Sequence, residues 1–336
     1  MTHLLSSSKG KFFGLVVSCA LLFVSFFLSV RLGQISLPGM TMIEAMVGFD
    51  ENSAAHVITY ERFSRAFTAA LIGSSLAVSG GLLQALTRNP LASPGIFGIN
   101  AGALFFVVFS VAVLSITSLS MLIWIAFFGA GFAAVIVLFL GFIGVDGLSP
   151  VRVVLAGTAV MALFTSFTQG MLVVNEANLD QMLLWMAGTV SGRTLDVLLP
   201  VLPFMIGALL CSFLLAKPIN ILMSGDDIAK GLGQKTLLVK VVLVLVAVLL
   251  AGGSVAIGGM IGFIGLIVPH IARSFVGNDH YWLLPYCVCI GATLLICADL
   301  VARFVIRPQE VPIGIMTALI GAPFFIYIAR KGFRGR

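Results

Sequence analysis

Long apolar segments recur along nearly the whole chain, and short polar turns separate them. A window of about twenty residues, the length that an α-helix needs to cross a bilayer, identifies ten candidate spans. They lie at residues 12–31, 66–86, 95–115, 120–142, 153–174, 197–216, 237–255, 258–270, 281–300 and 311–329. The pattern therefore predicts an all-α polytopic membrane protein, with about ten transmembrane helices in a single transmembrane domain over residues 1–336.

Two of these segments are unusual in length. The first, from about Phe12 to Val30, is too long for the apolar core of a typical secretory signal, and no small-x-small cleavage site follows it. We therefore interpret it as a membrane span. The eighth is short and glycine-rich, from Gly258 to Gly265. Such a segment cannot cross lipid alone as a simple helix, so we expect it to pack inside the bundle against its neighbours.

Composition and charge give the chain an orientation. It is 60% hydrophobic and 10% charged, against about 25% charged residues in an ordinary soluble domain, which leaves no room for a soluble catalytic domain. With a cytoplasmic N-terminus, thirteen of the 19 Lys and Arg residues fall inside and six outside. This split follows the positive-inside rule and predicts that both termini are cytoplasmic. The net charge of +6 is then a topology signal, and no nucleic-acid partner is needed to explain it.

The largest inner loop, at about 217–236, is predicted to contain a short helix. Asp226 or Asp227 can cap its N-terminus, and Gly231 or Gly233 can end it. The loop does not bind nucleotide, because Gln234 interrupts the Gly-Lys-Thr order that a phosphate-binding loop requires. A rigid helix between two spans suits docking to a soluble partner, although an ordinary loop helix without a partner fits the sequence equally well.

Arginines gather at the outer end of the second and ninth spans. Arg62 and Arg65 share one helix face at i, i+3, and Arg303 follows the ninth span. Together they could form a positive rim for an acidic partner, or each could simply extend its long side chain to the interface. Asp299 lies one turn before Arg303, and we expect the two to pair, although an ionisable residue at membrane depth is also a functional candidate.

Two proline turns lie at the predicted inner face, at Asn89-Pro-Leu91 and at Leu148-Ser-Pro-Val-Arg152. They could mark a narrow point in a pathway, or they could only terminate helices, since proline does so anywhere. The five cysteines lie inside apolar runs without C-x-x-C spacing, and the four histidines are scattered. The sequence therefore predicts no metal site, no cofactor and no catalytic residue.

Taken together, these stretches resemble the iron-siderophore, haem and cobalamin permease family of bacterial ABC importers, named FecCD. The resemblance extends in order over nearly the entire chain. It rests on Arg62-Phe-Ser-Arg65, Gly73 through Gln84, Asn89-Pro-Leu-Ala-Ser-Pro-Gly95, Gly98-Ile-Asn-Ala-Gly-Ala103, Leu155-Ala-Gly157, Trp185-Met-Ala-Gly188, Gly262 through Arg273, Ala298-Asp-Leu-Val-Ala-Arg303, Glu310-Val-Pro-Ile-Gly314 and Gly321-Ala-Pro-Phe-Phe325.

The resemblance implies a cobalamin-permease-like bundle in the bacterial cytoplasmic membrane, in which two permease subunits form a central pathway. Two cytoplasmic ATPase subunits would drive it, and an extracellular or periplasmic binding protein would deliver the cargo, so that this chain is itself no enzyme. Carried over by resemblance, the docking residues are Arg62, Arg65 and Arg303; the gate residues are Asn89, Leu91, Pro150 and Val151; and the ATPase-coupling residues are Gly225, Asp226, Asp227, Ala229, Leu232 and Gly233.

Two departures from the family pattern bear on the cargo and on the docking turn. Pro150 and Val151 stand where some cobalamin-type members carry small hydroxyl residues, which makes the chain more similar to the ferric-siderophore branch. Ser64 stands where proline is usual. The expected cargo is an iron(III)-siderophore, with haem or cobalamin as the alternative. An ion-coupled secondary transporter using Asp299, and a receptor or scaffold that moves nothing, remain as rival interpretations.

Overall fold

The chain folds as an array of α-helices in a computed structural model that describes residues 4–33, 38–143, 150–174 and 179–333. Within these residues, fifteen helices and a 3₁₀ turn at Pro94–Phe97 are present. The helices are α1 (Ser8–Arg31), α2 (Gly39–Val47), α3 (Ala54–Thr87), α4 (Ile99–Leu114), α5 (Leu119–Phe142), α6 (Pro150–Val174), α7 (Leu179–Ala187), α8 (Leu195–Leu198), α9 (Leu202–Leu214), α10 (Ala216–Met223), α11 (Asp226–Gly231), α12 (Thr236–Gly258), α13 (Ile264–Val276), α14 (His280–Val305) and α15 (Ile313–Phe333).

Ten apolar helical units match the ten predicted segments in order. Within the described residues, six helices are long and apolar enough to cross a membrane: α1, α3, α5, α6, α12 and α14. A seventh unit is the pair α9 and α10, which is bent by 51°. Shorter apolar helices, α4, α13 and part of α15, occupy the third, eighth and tenth segments. The membrane fold is confirmed, while the number of complete crossings stays a prediction.

Two boundaries differ from the sequence prediction. The second span was predicted to begin at residue 66, but α3 begins at Ala54, so Arg62 and Arg65 lie within it. A hydropathy window cannot include polar outer turns even when the backbone continues as a helix. The eighth segment was predicted to start at residue 258, yet α13 begins at Ile264. Gly259 and Phe263 both have positive φ, at 71° and 67°, and this left-handed backbone separates α12 from α13.

Helix α3 is the central element, with more of its apolar stretch buried than any other long apolar helix of the described chain. Glycines allow its neighbours to approach closely. A Cβ added at Gly73 would overlap the carbonyl oxygen of Gly291 in α14, and one added at Gly80 would overlap that of Gly265 in α13. The small residues of α3 therefore allow its backbone to lie directly against the backbones of α13 and α14.

The length of α3 relates its two ends to a membrane. Arg65 and Arg88 are 23 positions apart, which at 1.5 Å per residue corresponds to about 35 Å along the axis. The hydrocarbon core of a bilayer is about 30 Å thick. One helix therefore carries a charged residue to each membrane surface, and both of these residues belong to ionic clusters.

Candidate functional site

The outer cluster is built around Asp299, a carboxylate of α14 that is 1% exposed. Arg65 from α3 donates to both of its oxygens, with Nε at 3.0 Å from each and Nη2 at 2.8 Å from Oδ1. Arg303, one turn further along α14, donates to Oδ2 from Nε at 3.1 Å and from Nη2 at 2.5 Å. A single carboxylate thus bridges two guanidinium groups, and their charge-assisted hydrogen bonds make the buried carboxylate tolerable in an apolar bundle.

Arg303 is enclosed by this arrangement. It also donates to the carbonyl oxygen of Ser29 at 2.7 Å and to the Ser29 hydroxyl at 2.9 Å, which attaches α14 to α1. Only 3% of its side chain is exposed. The structure therefore places Arg303 beneath the surface, although it lines the same cavity as Arg62 and Arg65. The docking role of these three arginines stays a prediction. The expected Asp299–Arg303 pair is present.

Arg65 and Arg62 lie nearer the outer surface. Arg65 reaches Glu310 with Nη1 at 2.7 Å from Oε2. Arg62 donates to the carbonyl oxygen of Arg31 at 3.2 Å. Both arginines line an outer cavity of about 480 Å³. The sequence prediction missed the Arg65–Asp299 and Arg65–Glu310 pairs, because these partners are more than 200 positions apart.

At the opposite end of the molecule, the predicted short helix is present as α11, with one difference in its cap. Neither aspartate is the N-cap; that position belongs to Gly225, whose φ of 119° suits glycine, and Asp226 and Asp227 fill the first turn. Carboxylates in the first turn favour the helix through its dipole. Leu232 is the C-cap, and Gly233 follows with a positive φ of 79°.

The inner cluster is built around Asp226. Arg88, the C-cap of α3, places Nη2 at 2.7 Å from Oδ1, and Lys240 of α12 places Nζ at 2.5 Å from Oδ2. Burial opposes the charge of Asp226, but the hydrogen bond to Lys240 and the charges of Lys240, Arg88 and Lys230 outweigh it and lower the pKa of Asp226. The helix α11 is therefore tied to two membrane helices through one side chain.

The opposite face of α11 is exposed and partly apolar. Ala229 is buried against the protein, whereas Ile228 and Leu232, spaced i, i+4, are 57% and 69% exposed. Two large apolar side chains on one face of a short helix are what a groove in a partner protein receives. Ile228 was missing from the predicted coupling residues, although its spacing from Leu232 could have identified it.

The predicted gate residues occupy two separate turns. Asn89 closes the turn after α3 by accepting from the Leu91 amide at 2.9 Å, and Arg88 precedes it with a positive φ of 49°. Pro150 and Val151 begin α6, and Val151 is exposed. Among the described residues no hydrogen bond joins the two turns, so their role at a constriction remains a prediction.

A buried polar group supports the first of these turns. Gln84 donates to the carbonyl oxygens of Ala92 and Gly265, both at 3.2 Å, and accepts from Arg273 of α13. The contact joins the end of α3, the Asn89 turn and α13. The prediction placed Gln84 and Arg273 only within motifs, because their pairing depends on a separation of 189 positions.

Comparisons with known proteins agree with this architecture. The chain is 49% identical to "Probable siderophore transport system permease protein YfiZ" of Bacillus subtilis (strain 168), over 97% of this chain and 98% of that protein. It is 40% identical to the iron(3+)-hydroxamate import system permease protein FhuB of the same organism, over 98% and 86%. It is 38% identical to the ferric enterobactin transport system permease protein FepD of Escherichia coli (strain K12), over 94% of each.

A solved structure, described as an inward-facing conformation of a metal-chelate type ABC transporter, superposes with a TM-score of 0.83 at 28% identity. It covers 94% of this chain and 98% of the other. The FecCD transport family profile matches residues 21–331. Since both the profile and these relatives extend over nearly the whole sequence, the chain belongs to the FecCD transport family.

Proposed function

We propose that this chain is the transmembrane permease subunit of an ATP-driven importer that moves an iron(III)-siderophore across the cell membrane. Membership of the family makes it a multi-pass membrane permease of an ABC importer, which works with ATPase and binding-protein partners. The siderophore cargo is supported by relatives named for siderophore, hydroxamate and enterobactin transport. Haem or cobalamin is the alternative cargo.

The observation that carries the proposal is that α3 continues without a break from the outer ionic cluster to the inner one. Its outer end holds Arg62 and Arg65 at the edge of a cavity. Its inner end holds Arg88, which contacts the exposed helix α11 through Asp226. A rigid helix joined to a docking surface at each end can transmit a movement of one partner to the other side of the membrane.

The proposed complex has two permease subunits, identical or homologous, two cytoplasmic ATPase subunits and one extracellular or periplasmic binding protein. The binding protein would place acidic side chains near Arg62 and Arg65, while each ATPase would receive Ile228 and Leu232 of α11. ATP-driven closure of the ATPases would move α11 and, through Arg88, the Asn89 turn. In this arrangement the pathway between two permeases would narrow at Asn89, Leu91, Pro150 and Val151.

The geometry of Asp299 does not favour a proton-coupled secondary transporter. Both of its oxygens accept hydrogen bonds from guanidinium groups of Arg65 and Arg303. A proton carrier needs a carboxylate oxygen that is open to a proton pathway, and here both oxygens are bound. Asp299 therefore serves best as the centre of the outer cluster.

Uptake by proteoliposomes tests the function. The chain, a candidate ATPase and a candidate binding protein are reconstituted, and uptake of an iron-loaded siderophore is followed with labelled iron. We expect uptake that requires ATP hydrolysis and survives an uncoupler. Uptake that ignores ATP and collapses with the uncoupler would contradict the proposal, and competition by haem or cobalamin at equal concentration would assign the alternative cargo.

Docking at the outer surface is tested separately by Arg62→Glu. Charge reversal should weaken association of the binding protein. It should leave folding and assembly unchanged, since Arg62 lies outside the buried Asp299 pairs. Affinity for the labelled binding protein is measured in nanodiscs at two ionic strengths. Arg307→Glu, an exposed position on the same side, serves as the matched control. Unchanged affinity in the Arg62 variant would remove this residue from the docking surface.

A further inference from the structure

We propose that Arg193, at the wall of the outer cavity, binds a carboxylate side chain of the cargo-delivering binding protein. The inference rests on the proposed function and deepens it, because neither the sequence motifs nor the comparisons assign a role to this residue. It also changes which arginines meet the partner, since Arg303 is already enclosed and Arg65 is already shared between two carboxylates.

The backbone around Arg193 is held in place. Its carbonyl oxygen accepts a hydrogen bond from the buried hydroxyl of Ser64 in α3, at 2.7 Å. The preceding segment is attached to the end of α12, where the Thr189 amide donates to the Gly258 carbonyl at 2.8 Å. Gly192 has a positive φ of 70°, which turns the chain immediately before Arg193. The guanidinium is therefore presented from a fixed position.

The charge of Arg193 is not compensated by the described residues. The residue is only 8% exposed, and its buried Nε has no hydrogen-bond partner. None of the described side chains forms an ion pair with it. Burial lowers the pKa of Arg193, and none of the carboxylates in the described part of the chain offsets this effect. A buried guanidinium without a counter-charge is costly, and proteins keep such groups where a ligand supplies the missing charge.

The surroundings of Arg193 agree with an anionic ligand. The outer cavity of about 480 Å³ is lined by four arginines, Arg62, Arg65, Arg193 and Arg303. Two glutamates, Glu61 and Glu310, also line it, and Asp299 lies beneath it. Among the residues that the structure describes, four guanidinium groups thus face three carboxylates. Glu310 is engaged by Arg65, and Asp299 by Arg65 and Arg303, so neither of these carboxylates is paired with Arg193.

An acidic protein side chain is the occupant that fits this position. The cavity opens beside Arg62 at the outer end of α3, which is the surface proposed for the binding protein. A guanidinium recognises a carboxylate through paired N–H donors. Arg193 is recessed and Arg62 is nearer the surface, so an inserted glutamate or aspartate would contact both. The contact with Arg193 would be more completely removed from water than the contact with Arg62.

The test compares Arg193→Gln with wild type and with Arg307→Gln in nanodiscs. The probe is the fluorescently labelled binding protein that supports uptake in the reconstituted system. We expect Arg193→Gln to lower affinity at least about tenfold, as for removal of one partner from a desolvated charge pair. Arg307→Gln, whose guanidinium lies over the ring of Phe304, should leave affinity within about twofold.

Thermal unfolding of the same variants distinguishes a binding role from a structural one. If Arg193 is retained for a ligand, Arg193→Gln should unfold at the same or a higher temperature, because an uncompensated buried charge is removed. A lower unfolding temperature together with lower affinity would indicate a structural residue and overturn the proposal. Normal affinity of the variant would overturn it as well, while ATP-dependent uptake by wild type would leave the proposed function intact.

The source of the carboxylate is resolved by repeating the titration with cargo-free binding protein. An acidic side chain of the binding protein predicts the same loss of affinity for the loaded and the cargo-free forms. A loss confined to the loaded form would place the carboxylate on the cargo and contradict the assignment. Absence of ATP-dependent uptake in the wild-type system would count against the proposed function itself and is distinguishable from each of these results.

Discussion

Two clusters at opposite ends of α3 share one design but differ in burial. In each, a single aspartate pairs with two cations: Asp299 of α14 pairs with Arg65 of α3 and with Arg303 of its own helix, and Asp226 of α11 pairs with Arg88 and Lys240. The side chain of Asp299 is 1% exposed and that of Asp226 is 35% exposed. The outer carboxylate is therefore removed from water, while the inner one remains in contact with it.

This difference separates permanent attachment from reversible attachment. Breaking a buried ion pair leaves uncompensated charge in a low dielectric and is strongly destabilising. Breaking a solvent-exposed pair costs little, because water replaces the lost partner. The outer cluster thus fixes α1, α3 and α14 beside the outer cavity. In the proposed complex, the inner cluster would release and reform as α11 moves with an ATPase.

The largest effect is expected for Asp299→Asn. The substitution keeps the shape of the side chain but leaves Arg65 and Arg303 without their shared counter-charge. We expect the free energy of unfolding to fall by about 3–5 kcal/mol, measured by thermal or denaturant unfolding in detergent. Asp196→Asn, an exposed position on the same side, is the control. A loss equal to that of the control would show that the outer cluster is not structural.

A smaller loss of stability is expected for Gly80→Ala, in the part of α3 between the two clusters. The added methyl group would overlap the Gly265 carbonyl oxygen, so α3 and α13 would have to separate. The expected cost is about 1–3 kcal/mol, with reduced uptake. Gly81→Ala is the matched control, because its Cβ would lie 3.9 Å from the nearest atoms. Equal stability of the two variants would mean that α3 need not hold its close contacts.

Asp226→Asn should affect transport far more than stability. The free energy of unfolding should fall by less than for Asp299→Asn, because Asp226 is 35% exposed and Arg88 is 45% exposed, although Lys240 is largely buried. ATP hydrolysis by the partner subunits should continue while siderophore uptake falls severalfold, because α11 loses its tie to Arg88 and Lys240. Both rates are measured in the same proteoliposomes, and Asp226→Glu should restore part of the uptake. Normal uptake in the asparagine variant would exclude Asp226 as a connection.

The smallest expected effect is the dependence of stability on salt concentration. The Debye length is about 3 Å at 1 M salt, so the small stability difference between wild type and Asp226→Asn should disappear there. The difference for Asp299→Asn should persist, because buried charges are screened much less. Unfolding measured at about 0.1 M and 1 M salt compares the two. If the stability differences of both variants responded equally to salt, the contrast in burial between Asp299 and Asp226 would be contradicted.

Local features of the two clusters were predictable, and their completion was not. The Asp299–Arg303 pair follows from i, i+4 spacing within one helix, and α11 follows from its aspartates and glycines. The cap was assigned to the wrong residue, because the choice between Gly225 and the aspartates depends on a backbone φ of 119° that only glycine adopts readily. Lys240, Arg88 and Glu310 were not connected to their partners at all.

Hydropathy along the chain determined the all-α membrane fold and the order of ten apolar segments, because each segment must suit its solvent whatever its neighbours are. The aspartates and glycines of the inner loop predicted its short helix. Tertiary packing alone decided that Arg65 reaches Asp299 across 234 positions and that Ser64 holds Arg193 across 129. It also decided that Arg303 is enclosed. Pairing and burial depend on which helices pack together. The sequence alone does not show whether the charge of a residue is compensated by a distant partner.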